Sequence, residues 1–186
     1  MTSARYDRAV LKHDLAALSD PAKDQYFLTN PAKLQVILDA ADIRETDRVV
    51  EIGAGAGTVA RVLPRSASLT LIELDERLIP TLRNNAPDHA SVLNADGLAL
   101  LQQGQLHADV ILGNLPNEVA EDLTALLPRL DFRVAVVAAG SVEPFEALSE
   151  HLNYSLLADV WGDDFTPSQP GLSHLISVHH RQSSTK

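Results

Sequence analysis

The chain of 186 residues contains no cysteine, and aromatic side chains make up only 4% of it. The lack of cysteine excludes disulfide frameworks and thiolate chemistry. No run approaches the roughly 20 apolar residues that a membrane-spanning helix needs. The N-terminus, MTSARYDRAVLKHDL, is charged throughout and has no apolar signal core. We therefore expect a cytoplasmic protein that does not associate with membranes.

Basic residues are also scarce, because 15 Lys and Arg stand against 25 Asp and Glu, for a formal net charge of −10. Affinity for nucleic acid depends largely on cations that neutralise phosphates, so this charge disfavours tight RNA binding. The length predicts a single domain over residues 1–186, with an N-terminal helical extension over 1–23 and a flexible tail over 182–186. The sequence leaves the oligomeric state open.

Strand and helix patterns alternate along the chain. The short β-rich runs are 48–52, 69–74, 91–95, 109–112 and 133–139, and the helical patterns are 31–42, 57–65, 76–85, 97–103, 118–128 and 142–152. Two further strands, 154–161 and 175–179, follow each other with no helix between them. The pattern predicts an α/β fold whose mostly parallel, seven-stranded sheet ends in a C-terminal β-hairpin.

A glycine-rich loop follows the first of these strands. Gly53, Gly55 and Gly57 are spaced Gly-x-Gly-x-Gly, and Glu51 precedes them. Glycines allow positive φ and a close approach of the backbone to a ligand, and the next helix offers free N–H groups. The spacing differs from the Gly-x-Gly-x-x-Gly of dinucleotide enzymes and, with the acid, is similar to that of S-adenosylmethionine sites. A plain tight turn is the alternative.

Two more carboxylates end the next two strands. Glu73 stands where an acid accepts hydrogen bonds from both hydroxyls of a ribose. Asp96 ends the following strand, where it could receive an adenine amino group. The alternative for each is a role at a helix N-terminus, for which Asp75 is better suited than Glu73. The combination predicts S-adenosylmethionine as the cofactor, and the isolated histidines indicate no metal site.

The fourth strand is followed by Asn114, Leu115 and Pro116. Methylation of an exocyclic amine needs acceptors that orient the N–H bonds and direct the nitrogen lone pair at the methyl group. The side-chain carbonyl of Asn114 and the backbone carbonyl of Leu115 suit this task, and Pro116 fixes the shape of the loop. An ordinary strand-to-helix turn is the alternative.

These motifs resemble those of the rRNA adenine N6-dimethyltransferases and the related macrolide-resistance rRNA methylases. The resemblance covers roughly residues 24–178. It extends to Gln25 and Phe27, which match a Q-x-F-L motif that lies over the methionine part of the cofactor, and to a stretch that begins at Phe165. It implies the class I, Rossmann-like methyltransferase fold and methyl transfer to adenine N6 in rRNA or a ribosomal particle, with Asn114–Asn117 as the catalytic motif.

Three features depart from the family. Asn117 stands where the family carries a Tyr or Phe that stacks on the target base, and an amide does not supply that stacking. The family usually continues into a small helical domain that contacts RNA. The region between Val137 and Phe165 is also short, and residues 139–143 stand where the family carries a Q-K-E-V-like segment. These departures, with the acidic charge, leave two alternatives open. One is a methyltransferase of a small molecule or peptide, and the other is a non-catalytic adenosylmethionine-binding protein.

Overall fold

The computed structural model describes residues 14–148 and 150–181, and within them a seven-stranded sheet forms the centre of the protein. The strands are β2 (Arg48–Ile52), β3 (Ser68–Glu73), β4 (Ala90–Asn94), β5 (Val110–Asn114), β6 (Val134–Ala139), β7 (Leu152–Gly162) and β9 (Gln169–His180). Their order in the sheet is β4-β3-β2-β5-β6-β9-β7. The first five are parallel, and β9 runs antiparallel between β6 and β7. The predicted sheet and its C-terminal hairpin are confirmed.

Helices flank both faces of this sheet. Residues 14–18 form the described part of α1, and the others are α2 (Pro31–Ala41), α3 (Ile79–Asn85), α4 (Gly97–Gln102), α5 (Asn117–Leu126) and α6 (Glu143–Ala147). Consecutive residues of a strand pack on opposite faces of the sheet: Val110 lies in the hydrophobic core beneath α2, and Ile111 lies in the core beneath α5. Successive apolar residues are therefore buried on both faces, as in other parallel sheets. The predicted extension over 1–23 lies partly, and the tail over 182–186 wholly, outside the described residues.

The helix predicted over 57–65 is wrong, because only a 3₁₀ turn, Ala60–Val62, forms there. Pro64 explains the difference. A proline disfavours the helical region for the residue before it, and Leu63 is accordingly extended, with φ −67° and ψ 136°. β-Branched Thr58, Val59 and Val62 weaken the helical preference further. The chain therefore leaves the glycine loop through turns.

A small second sheet escapes the sequence analysis. Strand β1 (Phe27–Leu28) pairs antiparallel with β8 (Phe165–Thr166). The backbone N–H groups of Thr29 and Asn30 also donate to the carbonyl of Asp164, at 2.8 and 3.0 Å. Two-residue strands are too short for a recognisable periodicity. This sheet holds the N-terminal segment against the C-terminal hairpin, beside the carboxyl ends of the parallel strands.

Candidate functional site

A cleft of about 500 Å³ opens at the carboxyl ends of β2, β3, β4 and β5. Open α/β sheets bind ligands at this edge. The cleft is lined by ten of the residues that the sequence singles out: Gln25, Phe27, Glu51, Gly53, Gly55, Glu73, Asp96, Asn114, Leu115 and Pro116. Two others, Gly57 and Asn117, do not line it. The fold thus gathers residues from the N-terminal segment, three motifs and the catalytic loop around one cavity.

The three loop glycines all have positive φ, and each meets a different neighbour. The φ angles are 65°, 58° and 79° at Gly53, Gly55 and Gly57. A Cβ at Gly53 would overlap the side chain of Leu115, and one at Gly55 would lie 3.1 Å from the ring of Phe27. A Cβ at Gly57 would instead meet α3. Gly57 therefore supports the packing of the loop beneath the cleft, and its contact with a ligand stays a prediction.

Glu51, in β2, is the most unusual titratable group of the site. Its side chain is buried and forms no ion pair with any described residue, and its Oε2 atom has no hydrogen-bond partner among them. Burial raises the pKa of the Glu51 carboxyl to about 8, and the nearby charge of Glu73 acts in the same direction. A buried, unpartnered carboxyl is costly unless a ligand completes it. Its position on the cleft wall favours a cationic ligand group.

Glu73 is buried beside the glycine loop. Its Oε2 accepts the N–H of Gly55 at 2.7 Å, and its Oε1 accepts the N–H of Asp75 at 2.8 Å. Burial raises the pKa of this carboxyl, while the two backbone hydrogen bonds act against the rise. Each carboxylate oxygen can accept more than one hydrogen bond. Glu73 therefore fixes the loop and still has acceptor capacity for ligand hydroxyls in the cleft.

Asp96 lies across the cleft at the start of α4. Its side chain accepts the N–H of Ala99 at 3.1 Å, which makes it the N-cap of that helix. The N-cap role that the sequence leaves as an alternative is therefore real. It is compatible with a ligand contact, because only one carboxylate oxygen is used.

The N-terminal segment closes one side of the cleft. The Nε2 atom of Gln25 donates to Asp75 at 3.1 Å, and its Oε1 is buried without a partner among the described residues. Phe27 packs with Leu15 and with residues of the glycine loop and α3 entry. Asp75 also accepts hydrogen bonds from Arg77 and Lys23. These bonds, chiefly the one from Arg77, hold the pKa of the Asp75 carboxyl well below its ordinary value.

Asn114 ends β5 at the inner wall of the cleft. Its Nδ2 donates to the backbone carbonyl of Tyr26 at 3.3 Å. This bond fixes the orientation of the amide and uses only its nitrogen, so the side-chain carbonyl oxygen of Asn114 keeps its capacity to accept a hydrogen bond from another group. The Leu115 side chain packs against Gly53 and Gly113, so the catalytic loop and the glycine loop support each other.

Asn117 has a partner that the sequence does not reveal. Its Oδ1 accepts the N–H of Gly140 at 2.9 Å, and a Cβ at Gly140 would lie 2.5 to 2.8 Å from the Asn117 carboxamide atoms. The carboxamide therefore rests on the backbone at the end of β6. Gly140 lies far from Asn117 in the chain and carries no motif, so no local signal identifies the pair.

A small polar pocket adjoins Asn114 on the side of the second sheet. Its lining includes Tyr26, Asn117, Phe165, Gln169 and Ser173. Gln169 donates to the hydroxyl of Ser173 at 2.9 Å. Gln169 is a residue of this pocket that the sequence analysis missed, because a single glutamine at the start of a strand gives no pattern.

Within residues 14–148 and 150–181, no group of three or more His, Asp or Glu could hold a metal ion. The same part of the chain has no helix that is long and apolar enough to cross a membrane.

Similarity to known proteins bears directly on this cleft. Residues 21–132 match the family described as ribosomal RNA adenine dimethylase. The chain is 31% identical over 158 residues to "Ribosomal RNA small subunit methyltransferase, mitochondrial" of Arabidopsis thaliana, which covers 75% of this chain and 40% of that protein. It is 27% identical over 177 residues to "Probable ribosomal RNA small subunit methyltransferase A" of Methanococcoides burtonii, and the match covers 87% of this chain and 65% of that protein. The chain thus spans less than two thirds of the length of these relatives.

Solved structures share the fold at low sequence identity. A dimethyladenosine transferase from Plasmodium falciparum has a TM-score of 0.72 at 21% identity, over 83% of this chain and 63% of that one. The 23S rRNA methyltransferase ErmE has a TM-score of 0.71 at 20% identity, over 84% and 70%. The fold is therefore the class I, Rossmann-like methyltransferase fold that the family resemblance implied.

Proposed function

This chain belongs to the ribosomal RNA adenine dimethylase family, and we propose on that basis that it methylates N6 of adenine in rRNA with S-adenosylmethionine as the methyl donor. The family match spans the N-terminal segment, the glycine loop, Glu73, Asp96 and the catalytic loop. The structural observation that carries the cofactor part of the proposal is the buried, unpartnered Glu51 carboxyl in the cleft. The names of the relatives favour RNA over the small-molecule or peptide acceptor that the sequence leaves open.

The residues divide the binding of the cofactor between them. Glu51 would face its cationic amino-acid end, Glu73 would accept its ribose hydroxyls, and Asp96 would accept its adenine amino group. Gln25 offers a buried carbonyl oxygen from the N-terminal segment. The cofactor, when bound, supplies an electrophilic methyl group.

The chain itself positions the acceptor. The Asn114 carbonyl and the backbone carbonyl of Leu115 would accept the two N–H bonds of the exocyclic amine. This leaves the nitrogen lone pair in line with the methyl group, and alignment contributes most of the rate. The amine nitrogen would bond to the methyl carbon as that carbon leaves the sulfonium sulfur, and the proton that the methylated nitrogen then sheds would pass to solvent water. The two carbonyls stabilise the partial positive charge that develops on the nitrogen.

Methyl transfer to RNA tests the proposal. The protein is incubated with methyl-labelled cofactor and either assembled small ribosomal subunits that lack the modification or rRNA extracted from them. Digested nucleosides are then separated by mass. We expect N6-methylated adenosine. Asn114→Ala should lower kcat and kcat/KM alike, because its contact is made chiefly in the transition state. Label in no adenosine, or full activity of Asn114→Ala, would contradict the proposal.

Cofactor binding is tested apart from transfer. We expect Glu73→Ala to weaken adenosylmethionine binding by about 1.5–3 kcal/mol, the range for hydrogen bonds to a charged group. Glu73→Gln is the matched control, since it keeps an oxygen for Gly55 or a ribose hydroxyl and should lose less. Calorimetry that finds unchanged affinity in folded Glu73→Ala would remove the ribose assignment.

A further inference from the structure

Three large hydrophobic side chains are exposed on one face of the β7–β9 ribbon. Leu156, Trp161 and Leu172 keep 54%, 57% and 50% of their surface accessible, and we name them the exposed strip. Leu172, His174 and Ile176 alternate along β9 and so point to one face. Trp161 lies opposite Leu172, and Leu156 lies opposite Ile176. The strip therefore continues the sheet face on which α5 and α6 pack, beyond the part that they cover.

The strip begins beside the catalytic loop. Strand β6 ends at Ala139, which lies opposite His174 of β9. Leu172 and its partner Trp161 extend past that end, at the same edge of the sheet as Gly140. Gly140 is the residue that holds Asn117. A molecule that covers the strip would thus lie next to the acceptor side of the cleft.

The charges around the strip are mainly negative. Asp159 shares the face of Trp161, where one of its carboxylate oxygens contacts Nδ1 of His174 at 2.8 Å and its side chain stays half-exposed, and exposed Asp163 follows two residues after that ring. Glu146 of α6 accepts a hydrogen bond from Tyr154 at 3.5 Å on the same face. Among the described residues, Lys33 is the cation that lies beside the Trp161 ring, with its Nζ atom 5.8 Å from the ring centroid. The same Nζ atom donates a hydrogen bond to the backbone carbonyl of Asp159 at 2.6 Å. These acids repel phosphates and would equally repel a second copy of this acidic chain.

The edge of β7 is less suited to pairing than its face. The register shifts between Leu156 and Ala158, which marks a bulge, and the bond from Lys33 occupies the Asp159 carbonyl. Bulges and lysines at an edge oppose the addition of a further strand. An occupant would therefore dock on the side chains of the strip.

We propose that the exposed strip docks a basic protein segment, which places an apolar side chain between Trp161 and Leu172 and its cations near Asp159 and Asp163. Exposed aromatic and aliphatic side chains with surrounding charges of one sign are typical of such interfaces. The inference rests on the proposed function, because it assigns the basic segment to a protein of the ribosomal particle that contains the acceptor RNA. Docking there would hold an acidic enzyme against an acceptor whose phosphates repel it.

Binding to assembled small ribosomal subunits, compared with rRNA deproteinised from the same subunits, tests the proposal. We expect the protein to bind the assembled particle at least about 10-fold more tightly. Trp161→Ser and Leu172→Ser should each weaken binding to the particle by about 10-fold or more, as for the anchor residues of an interface. Their binding to deproteinised rRNA and to adenosylmethionine should stay unchanged. Leu93→Ser, at an exposed leucine on the opposite edge strand, is the matched control and should bind normally.

A charge reversal separates a protein partner from RNA. Asp163→Lys should weaken binding to the assembled particle, because it repels a basic segment, and should leave or slightly raise binding to deproteinised rRNA. If Asp163→Lys strengthens both, or if Trp161→Ser weakens both equally, the strip contacts RNA and the proposal is overturned. It is also overturned if the particle is bound no better than its RNA. Binding is scored without transfer, so failure of the strip and failure of the methylation proposal are distinguishable.

Discussion

Glu51 links the electrostatics of the cleft to the pH of the solution. Because burial raises its pKa from 4.5 to about 8, the folded protein holds a proton on Glu51 at neutral pH that the unfolded chain releases. The contribution of this group to stability is therefore full below about pH 4.5 and is lost as the pH rises through 8. A cationic ligand favours the ionised carboxylate, so binding of the ligand should expel this proton.

We therefore expect adenosylmethionine binding at pH 7 to release a proton from Glu51, and the affinity to rise as the pH approaches 8. Calorimetry in buffers of different ionisation enthalpy measures the released protons. Glu51→Gln is the control, because it keeps the size of the side chain and removes the titration. Equal proton release in wild type and Glu51→Gln would contradict the assignment of the proton to this residue.

The contact of Asn117 with Gly140 gives a second prediction for single residues. Gly140→Ala should lower kcat by about 10-fold or more, because the new methyl group displaces the Asn117 carboxamide and with it the catalytic loop, and small displacements have large effects on alignment. Adenosylmethionine affinity should change by less than about twofold, since neither residue lines the cofactor cleft. Steady-state kinetics and calorimetry measure the two effects.

A second substitution provides the control for this pair. Asn117→Ala removes the atoms that the Gly140 methyl group would strike, so the double variant should recover activity relative to Gly140→Ala alone. Strictly additive losses would show that the two residues act independently. Such a result would mean that Asn117 serves the catalytic motif by some contact other than the one with Gly140.

The N-terminal segment acts as one element that covers the cleft. It is held by apolar packing of Leu15 and Phe27, by the β1–β8 pair, and by the bonds from Lys23 and Gln25 to Asp75. Apolar packing fixes its position, while the polar bonds lie at the solvent edge. A segment with this arrangement can open at its polar end without losing its core contacts.

We expect Asp75→Asn to speed the dissociation of adenosylmethionine several-fold, because it weakens the bonds from Lys23 and Gln25 that hold the segment, and to lower the free energy of unfolding, because the Asp75 side chain is only 10% exposed and loses charged hydrogen bonds. Stopped-flow dissociation and denaturant titration measure these quantities. Asp39→Asn, on the solvent side of α2, is the control and should change neither. An unchanged dissociation rate in Asp75→Asn would mean that these bonds do not control release.

The charge of the whole molecule sets its behaviour toward free RNA. With a net charge of −10, the 186-residue chain should bind deproteinised rRNA weakly. The logarithm of its binding constant should fall only gently with the logarithm of salt concentration, since few phosphates are neutralised. Filter binding between 50 and 200 mM salt measures the slope, with a basic RNA-binding protein as reference. Sub-micromolar binding with a steep slope would contradict this expectation.

The sequence by itself determined the fold class, the succession of strands and helices along the chain, and ten of the residues that line the cleft. These features depend on local signals, namely short apolar runs, a glycine spacing and acids at strand ends, and parallel strands bring their carboxyl ends to one edge. The helix expected at 57–65 shows the limit of such signals, because Pro64, inside that stretch, holds Leu63 in an extended conformation and overrides the apolar periodicity.

Only the tertiary structure decided which residues meet across long separations in the chain. The contacts of Asn117 with Gly140, of Asn114 with the Tyr26 carbonyl, and of Leu115 with Gly53 join segments that no local pattern links. The same is true of the exposed strip, since a strand residue becomes buried or exposed according to what packs over it. These properties follow from long-range packing, which pairs surfaces by shape and hydrogen bonding rather than by spacing along the chain.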